Sequence, residues 1–188
     1  IVRSGVKSMA QFEYEETGSD IDRKALIEIY KAANGDKWER RNNWCSDKPI
    51  STWEGVSTNE KGRCYVLSLS NNNLSGNISP SIGDLSELEI LGLDGNWNLN
   101  GSTFPSEILN LSKLNYISLM SCNMVGSLPE ELLESELFRN NWKEILPGNS
   151  FEVENCEIYA PLGETVDMDG KPWNLTEEYA SHKYTIIY

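Results

Sequence analysis

Apolar and polar residues recur with a fixed period through the middle of the chain. Three segments that begin at Cys64, Leu88 and Leu114 superimpose, with apolar residues at the first, fourth and sixth positions and Asn or Cys at the ninth. Successive copies lie 24 and 26 residues apart. The alternation from the fourth to the sixth position predicts a short strand with one buried face. Repetition at this period predicts a solenoid, in which each copy buries its apolar face against its neighbours.

The same turn signals follow each strand. An asparagine at the ninth position can satisfy backbone groups where the chain leaves the sheet, and Cys122 takes that place in the third copy. Each copy then has a glycine, which permits the positive φ of a tight turn, and a proline that leads into a second apolar stretch. The glycines are Gly76, Gly101 and Gly126, and the prolines are Pro80, Pro105 and Pro129.

Residues 74–85, with the sequence Leu-Ser-Gly-Asn-Ile-Ser-Pro-Ser-Ile-Gly-Asp-Leu, resemble the plant-type leucine-rich repeat. Ser79 stands where that family usually has proline. Together with the stretch before the repeats, the resemblance covers roughly residues 20–135. It implies an α/β fold, namely a short leucine-rich-repeat solenoid of about three repeats with a helical cap at each end.

The stretch before the repeats resembles the N-terminal cap of this repeat class, as bacterial extracellular and receptor-type proteins have it. An apolar face between Ala25 and Ala33 predicts a helix that ends at Asn34-Gly35. Thr58 stands where family members often have cysteine, so the usual cap disulfide is not carried over. We expect three large side chains to fill this small cap, the alternative being an aromatic platform for a ligand. These side chains are Trp38, Trp44 and Trp53.

Behind the repeats, the pattern predicts an amphipathic helix that begins near Pro129 and ends at Pro147-Gly148. We expect this helix to close the stack, the alternative being a helix that binds a partner. The domain organisation is then an extension or linker at 1–19, an N-terminal cap at 20–64, repeats at 65–128, a C-terminal capping helix at 129–148 and a small α+β tail at 149–188.

The tail resembles the opening of a thioredoxin-like thiol–disulfide oxidoreductase domain. This resemblance rests on Ala160-Pro161, residues 166–171, Asn174-Leu175 and residues 183–188. No C-x-x-C motif occurs in the chain, so no redox site is assigned to it. Asp167 and Asp169 lack the downstream glutamate of an EF-hand loop, and we expect a hairpin turn there rather than a calcium site.

The chain has 188 residues, a formal net charge of −13 and a pI near 4.5. Residues 1–64 carry equal numbers of acidic and basic side chains, so the net negative charge belongs to the repeats and the tail. Nucleic-acid binding requires a basic surface and is not expected, whereas a neutral or basic partner is favoured. No apolar run reaches the roughly 20 residues of a membrane span. The absence of a leader at Ile1 predicts a processed or trimmed chain, and the repeat class implies a secreted, cell-surface or periplasmic protein.

The chain has only four cysteines and one histidine, so few side chains could bind a metal or act as a nucleophile. His182 has no recognisable catalytic partner, so we expect no catalytic residue, metal or cofactor. Cys64 aligns with core leucines, and Cys45 lies in the cap that we expect to sit against it. Cys45 and Cys64 are therefore the candidate disulfide, with two buried free thiols as the alternative.

Side chains between the buried leucines of such a sheet face the solvent. The resemblance implies a concave face that binds proteins, peptides or glycans, and aromatic residues and methionine are enriched at contact centres. Short polar residues are also what any solvated sheet displays. The candidate ligand-binding residues are Tyr65, Ser68, Ser70, Glu89, Asp94, Tyr116, Ser118 and Met120.

These features favour a non-catalytic recognition module that binds a protein, peptide or glycan through its repeats. One alternative is the targeting or docking part of a secreted thiol–disulfide oxidoreductase whose redox motif lies beyond Tyr188, and a second is a structural spacer. Triplets of the N-x-Ser/Thr type indicate glycosylation only in a eukaryotic protein, because the repeat consensus itself generates several of them. They begin at Asn73, Asn77, Asn100, Asn110 and Asn174.

Overall fold

A computed structural model describes residues 17–152 of the chain. Its α-helices are α1 (Gly18–Ala32), α2 (Glu130–Leu133) and α3 (Glu136–Ile145). Its strands are β1 (Val56–Thr58), β2 (Cys64–Ser68), β3 (Ile90–Gly92), β4 (Tyr116–Ser118), β5 (Val125–Ser127) and β6 (Ser150–Glu152). Short 3₁₀ helices lie at Gly35–Lys37, Ile50–Thr52, Pro80–Asp84, Trp97–Leu99 and Ser106–Asn110. The mixture of helices and strands confirms the predicted class.

Four strands form the main sheet in the order β1-β2-β3-β4. Strands β2, β3 and β4 are parallel, and β1 pairs with β2 in the antiparallel sense. Leu67, Leu91 and Ile117 lie side by side on the three parallel strands and are wholly buried. The repeated apolar positions therefore line one continuous core, which is how a solenoid is stabilised.

The 3₁₀ helices Pro80–Asp84 and Ser106–Asn110 stack on each other and contribute Ile82 and Ile108 to the same core. A Cβ added to Gly83 would lie 2.7 Å from the backbone oxygen of Glu107. Two successive copies therefore approach so closely here that only glycine fits.

Buried polar side chains form a ladder at the ninth position of each copy. Asn96 donates to the carbonyl oxygens of Leu69 at 2.9 Å and Leu93 at 2.6 Å. Its side-chain oxygen accepts the backbone N–H of Leu74 at 3.1 Å. In the next copy the thiol of Cys122 donates to the same Leu93 oxygen at 3.1 Å. These bonds satisfy backbone groups that are buried between copies, as the sequence predicted.

The ladder continues to Asn149, beyond the third copy. Asn149 donates to the carbonyl oxygen of Leu119 at 2.7 Å, and its side-chain oxygen accepts the backbone N–H of Met124 at 2.9 Å. The backbone N–H of Leu119 donates in turn to the carbonyl oxygen of Glu144 at 2.7 Å. Helix α3 therefore lies along β4, where the strand of a further copy would lie.

The amphipathic segment predicted as one helix over 129–148 is two helices, α2 and α3. Ser135 separates them because its side chain accepts the backbone N–H of Phe138 at 3.1 Å and so starts a new helix. The segment after α3 then forms β6, which pairs in parallel with β5. The end of the described chain is thus tied to the repeats through a second, smaller sheet.

At the other end, α1 packs its apolar face on the first copy. Thr17 and Asp20 form a capping box at its start. Asp22 is wholly buried, and its carboxylate accepts the Nε–H of Arg63 at 2.9 Å and the backbone N–H of Cys64 at 2.7 Å. One side chain thereby connects the helix with the first residue of β2.

The three tryptophans between α1 and β1 are all buried. Ring centroids are 4.9 Å apart for Trp38 and Trp44 and 5.2 Å apart for Trp44 and Trp53, and Tyr30 lies 5.0 Å from Trp38. The expectation that they fill an interior is confirmed, and the aromatic platform is wrong because no flat ring face is left for a ligand.

Several sequence predictions lie outside the described residues. These are the N-terminal extension up to residue 16, the thioredoxin-like segment, the hairpin at Asp167–Gly170 and His182.

Candidate functional site

The side of the main sheet that faces away from the core carries three rows of side chains, which we call the sheet face. The paired register places Val66, Ile90 and Tyr116 in the first row and Ser68, Gly92 and Ser118 in the second. Backbone hydrogen bonds from Asn71 to Asp94 and from Gly95 to Met120 extend this register. The third row is Ser70, Asp94 and Met120.

Tyr65 and Glu89 lie one residue before the first row. The backbone N–H of Glu89 donates to the Tyr65 carbonyl, and that of Asn115 donates to the Glu89 carbonyl. Tyr65 and Glu89 are therefore in line with Asn115, at the entry to the strands, and not with Tyr116. Tyr65 also lies where the pairing of β1 with β2 shifts its register. Glu89 is exposed and Tyr65 is half-buried, so both side chains still reach the solvent at this end of the sheet.

The sequence prediction for Ser118 is corrected, because this residue is only 2% exposed. Its hydroxyl lies 3.5 Å from a carboxylate oxygen of Glu144 on α3. Gly92, its neighbour in the second row, is buried as well. On β3 and β4 the second row is thus the floor of the sheet face rather than a set of protruding contacts, whereas Ser68 on β2 is exposed.

Large apolar side chains are exposed on the two rows beside this floor. Ile90 is 37% exposed, Tyr116 is 40% exposed and Met120 is 37% exposed. Ile90 and Tyr116 are direct neighbours on β3 and β4, and Met120 follows β4. Within residues 17–152 the other exposed large apolar side chains are Ile21 and Trp97. The sheet face therefore holds three of the five large apolar side chains that are exposed within residues 17–152.

Polar groups border these apolar residues. A carboxylate oxygen of Asp94 accepts the hydroxyl of Ser70 at 2.5 Å. The guanidinium of Arg40 donates to the backbone carbonyl of Ser70 at the end next to the cap. Glu144 lies at the opposite end, beside β4. The sheet face is accordingly basic at its cap end and acidic at its α3 end.

Ile90 and Glu144 are the two residues that sequence reasoning missed. Ile90 occupies the same register position as Tyr116, and counting back from the ninth-position asparagine would have identified it. Glu144 lies within a helical pattern that carries no strand signal. The only sign of its position is Asn149, which stands 27 residues after Cys122 and continues the ladder.

The candidate disulfide between Cys45 and Cys64 is wrong, because both are free thiols in the structure. Cys45 is exposed and feels the charges of Lys31 and Asp36, whereas the backbone of Cys64 bonds to Asp22. Asp22 and Lys31 are nine residues apart on α1, or about 13 Å along the helix axis. Bridged cysteines have Cα atoms within about 7 Å of each other.

Burial makes two thiols poor nucleophiles. It raises the pKa of Cys64 to about 12, with a further contribution from the charge of Asp22. Burial likewise raises the pKa of Cys122 to about 11. Because thiolates and not thiols react, neither side chain is suited to catalysis at neutral pH.

No group of three or more His, Cys, Asp or Glu side chains within residues 17–152 could hold a metal ion. Among the helices described, none has the length and apolar character needed to cross a membrane.

No family model matches the chain. Among curated proteins, it is 33% identical to phytosulfokine receptor 1 of Arabidopsis thaliana over 92 residues, which are 48% of this chain and 9% of the receptor. It is 30% identical to the probable leucine-rich-repeat receptor-like serine/threonine-protein kinase RPK1 of the same plant over 137 residues, which are 60% of this chain and 25% of the kinase. The chain thus spans a quarter or less of the length of these relatives.

Among solved structures, a plant ice-binding protein superimposes with a TM-score of 0.57 at 28% sequence identity. The superposition covers 70% of this chain and 41% of that protein. The regions of the plant receptors that match are leucine-rich-repeat ectodomains. The described part of the chain is accordingly a leucine-rich-repeat solenoid.

Proposed function

We propose that the chain is a non-catalytic recognition module that binds a protein or peptide through the sheet face. The observation that carries this proposal is the adjacency of two exposed apolar side chains, Ile90 and Tyr116, on neighbouring strands, with the exposed Met120 two rows further along the sheet face. Burying apolar area is worth about 25 cal/mol per Å². A partner that covers these side chains removes their apolar surface from water, which stabilises the complex.

The remaining candidate residues surround this apolar centre and provide polar contacts. Ser68, Ser70 and Asp94 supply polar groups at the border, while Ser118 contributes to the floor. Tyr65 and Glu89 lie at the entry to the strands, where a longer ligand would reach them. An apolar centre with a polar border is the usual arrangement of a protein interface.

Similarity to plant receptors supports a secreted or cell-surface location for the protein. In the same proposal, residues 20–64 form an N-terminal cap of the kind found in bacterial extracellular proteins and 65–128 form about three repeats. The closing segment runs from 129 past the expected boundary at 148, because Asn149 belongs to the ladder. Each end of a solenoid requires such a cover.

The oxidoreductase alternative depends on the tail, which lies outside residues 17–152, and no contact within those residues favours it. The spacer alternative predicts that the sheet face contributes nothing to binding. The proposal and the spacer therefore differ in what happens when the exposed apolar side chains are removed.

The experiment is a selection of random twelve-residue peptides displayed on phage against the immobilised chain. Affinities of the enriched peptides are then measured for the double variant Ile90→Ser/Tyr116→Ser. The matched control is Ile21→Ser/Trp97→Ser, which removes two apolar side chains of similar or greater exposure elsewhere. We expect at least a tenfold loss of affinity for the sheet-face variant and less than a twofold loss for the control. Absence of any enriched peptide, or a loss confined to the control, would contradict the proposal.

A further inference from the structure

Glu144 adds a carboxylate to the sheet face although it belongs to α3. Its backbone carbonyl accepts the N–H of Leu119 at 2.7 Å, as the carbonyl of Ser118 accepts the N–H of Leu93 at 2.8 Å one copy earlier. The backbone of Glu144 thus occupies the next place in the second row. Its carboxylate lies 3.5 Å from the hydroxyl of Ser118, which it helps to bury.

This carboxylate forms no ion pair within residues 17–152. The ion pairs found there join Lys31 with Glu28, Arg63 with Asp22, and Lys113 with Glu87. The base next to Glu144 in sequence, Lys143, places its ammonium 5.3 Å from the ring centre of Trp142. No base among residues 17–152 therefore neutralises Glu144, which lies beside exposed apolar groups.

The surroundings favour a cation that also has an apolar stem. Tyr116 and Met120 flank Ser118 on the strand next to Glu144, and both are exposed. A cation over an aromatic ring gains roughly 0.5–1 kcal/mol at an exposed site. The methylene groups of a lysine or arginine side chain can pack on apolar surface while the charged end reaches a carboxylate.

Asp94 reinforces this preference from the third row. One of its carboxylate oxygens accepts only the hydroxyl of Ser70, a neutral group. Arg40 lies on the far side of Ser70, at the cap end. Strands are about 4.8 Å apart, so β3, β4 and α3 span about 10 Å, or three residues of an extended chain.

We propose that the ligand is an extended peptide segment in which a lysine or arginine pairs with Glu144 over Tyr116, next to an apolar residue that packs on Ile90. This inference rests on the function proposed above. It adds the charge of the ligand and the place at which that charge is recognised. The negative charge of the repeats favours such a segment over an acidic one, through attraction that also speeds the encounter.

The test uses a peptide from the phage selection and a double-mutant cycle. In the protein, Glu144→Gln removes the charge and keeps the backbone carbonyl that Leu119 requires. In the peptide, norleucine replaces the basic residue and keeps its methylene stem. The control variant Glu131→Gln makes the same charge change on α2, at an exposed position away from the sheet. The norleucine peptide also tests the pairing on the unaltered protein, independently of how any variant folds.

Enriched peptides should contain a basic residue next to an apolar one. Each single change should weaken binding about tenfold, and both together should weaken it no more than either alone. Glu131→Gln should leave the affinity within twofold. If Ile90→Ser/Tyr116→Ser abolishes binding while Glu144→Gln and norleucine have no effect, the inference fails and the proposed function stands. If neither pair of changes affects binding, both fail.

Discussion

The side-chain oxygen of Asn149 accepts the backbone N–H of Met124 at 2.9 Å, which joins the segment after α3 to the third copy of the repeat. The same side chain donates to the carbonyl oxygens of Leu119 at 2.7 Å and Ile145 at 2.8 Å. Asn149 is only 4% exposed, so water does not replace these bonds when they are lost. One amide therefore holds α3 against β4 and fixes the position of Glu144.

Replacement of this amide should destabilise the closing segment. Asn149→Ala removes both donors and the acceptor, and it leaves buried backbone groups unsatisfied at a cost of about 2–4 kcal/mol. Equilibrium unfolding in urea measures the loss. Asn140→Ala, at an exposed position of α3, is the control and should change the free energy of unfolding by less than about 0.5 kcal/mol. Equal stability of the two variants would show that Asn149 does not hold the segment.

Replacement of the buried Asp22 should destabilise the N-terminal end of the solenoid. Asp22→Ala leaves the guanidinium of Arg63 and the backbone N–H of Cys64 without the acceptor that they share. We expect a loss of about 3 kcal/mol in the free energy of unfolding, because breaking one partner of a buried pair leaves an uncompensated charge. Asp47→Ala, at an exposed position of the cap, should be nearly neutral. If Asp22→Ala unfolds at the same urea concentration as wild type, α1 is not held through this contact.

The two buried thiols make stability depend on alkaline pH. Their folded pKa values, about 12 for Cys64 and about 11 for Cys122, exceed the ordinary value of 9.0. The folded state therefore retains protons that the unfolded state loses, so their contribution is complete below pH 9 and decreases as the pH rises towards 11 or 12. Between pH 8 and pH 11 each thiol should cost about 2 kcal/mol of stability.

Urea unfolding under reducing conditions at both pH values checks this dependence. The variant Cys64→Ala/Cys122→Ala has lower stability at pH 8 because it creates cavities, and the informative quantity is its change with pH. We expect that change to be smaller than in wild type. An identical decrease in both proteins would mean that other groups cause it.

The solenoid could be predicted from sequence because its signals are local and repeated. Leu67, Leu91 and Ile117 recur in register, and burial of the tryptophans follows from the size of the cap. The ladder role of Asn96 was likewise expected, because buried backbone groups require a partner. These features follow from residue types and spacings that can be identified within a short segment of sequence.

The composition of the sheet face could be predicted only in part. Met120, Tyr116 and Asp94 were identified, whereas Ile90 was not selected although the alignment of the copies places it beside Tyr116. The alignment of the copies gives the strand register, but how far a neighbouring segment covers each side chain depends on packing, as the burial of Ser118 beside Glu144 shows.

Contacts between distant segments could not be predicted at all. Glu144 reaches the sheet face because α3 takes the place of a strand, and the helical pattern of that segment gives no sign of it. Cys45 is an exposed free thiol and Cys64 a buried one beside Asp22, a difference that their positions in the sequence do not reveal. The position of Glu144 beside the sheet, and that of Cys45 relative to Cys64, are set by the packing of segments that are distant in sequence.

Photocrosslinking locates the ligand most directly. p-Benzoylphenylalanine is introduced at Tyr116 on the sheet face and, in a control protein, at Ser106, the exposed first residue of a 3₁₀ helix outside the sheet. Each protein is irradiated with a peptide enriched in the phage selection, and the products are identified by mass spectrometry. We predict a crosslinked product from position 116 and none from position 106. Crosslinking from position 106 with none from position 116 would contradict binding at the sheet face.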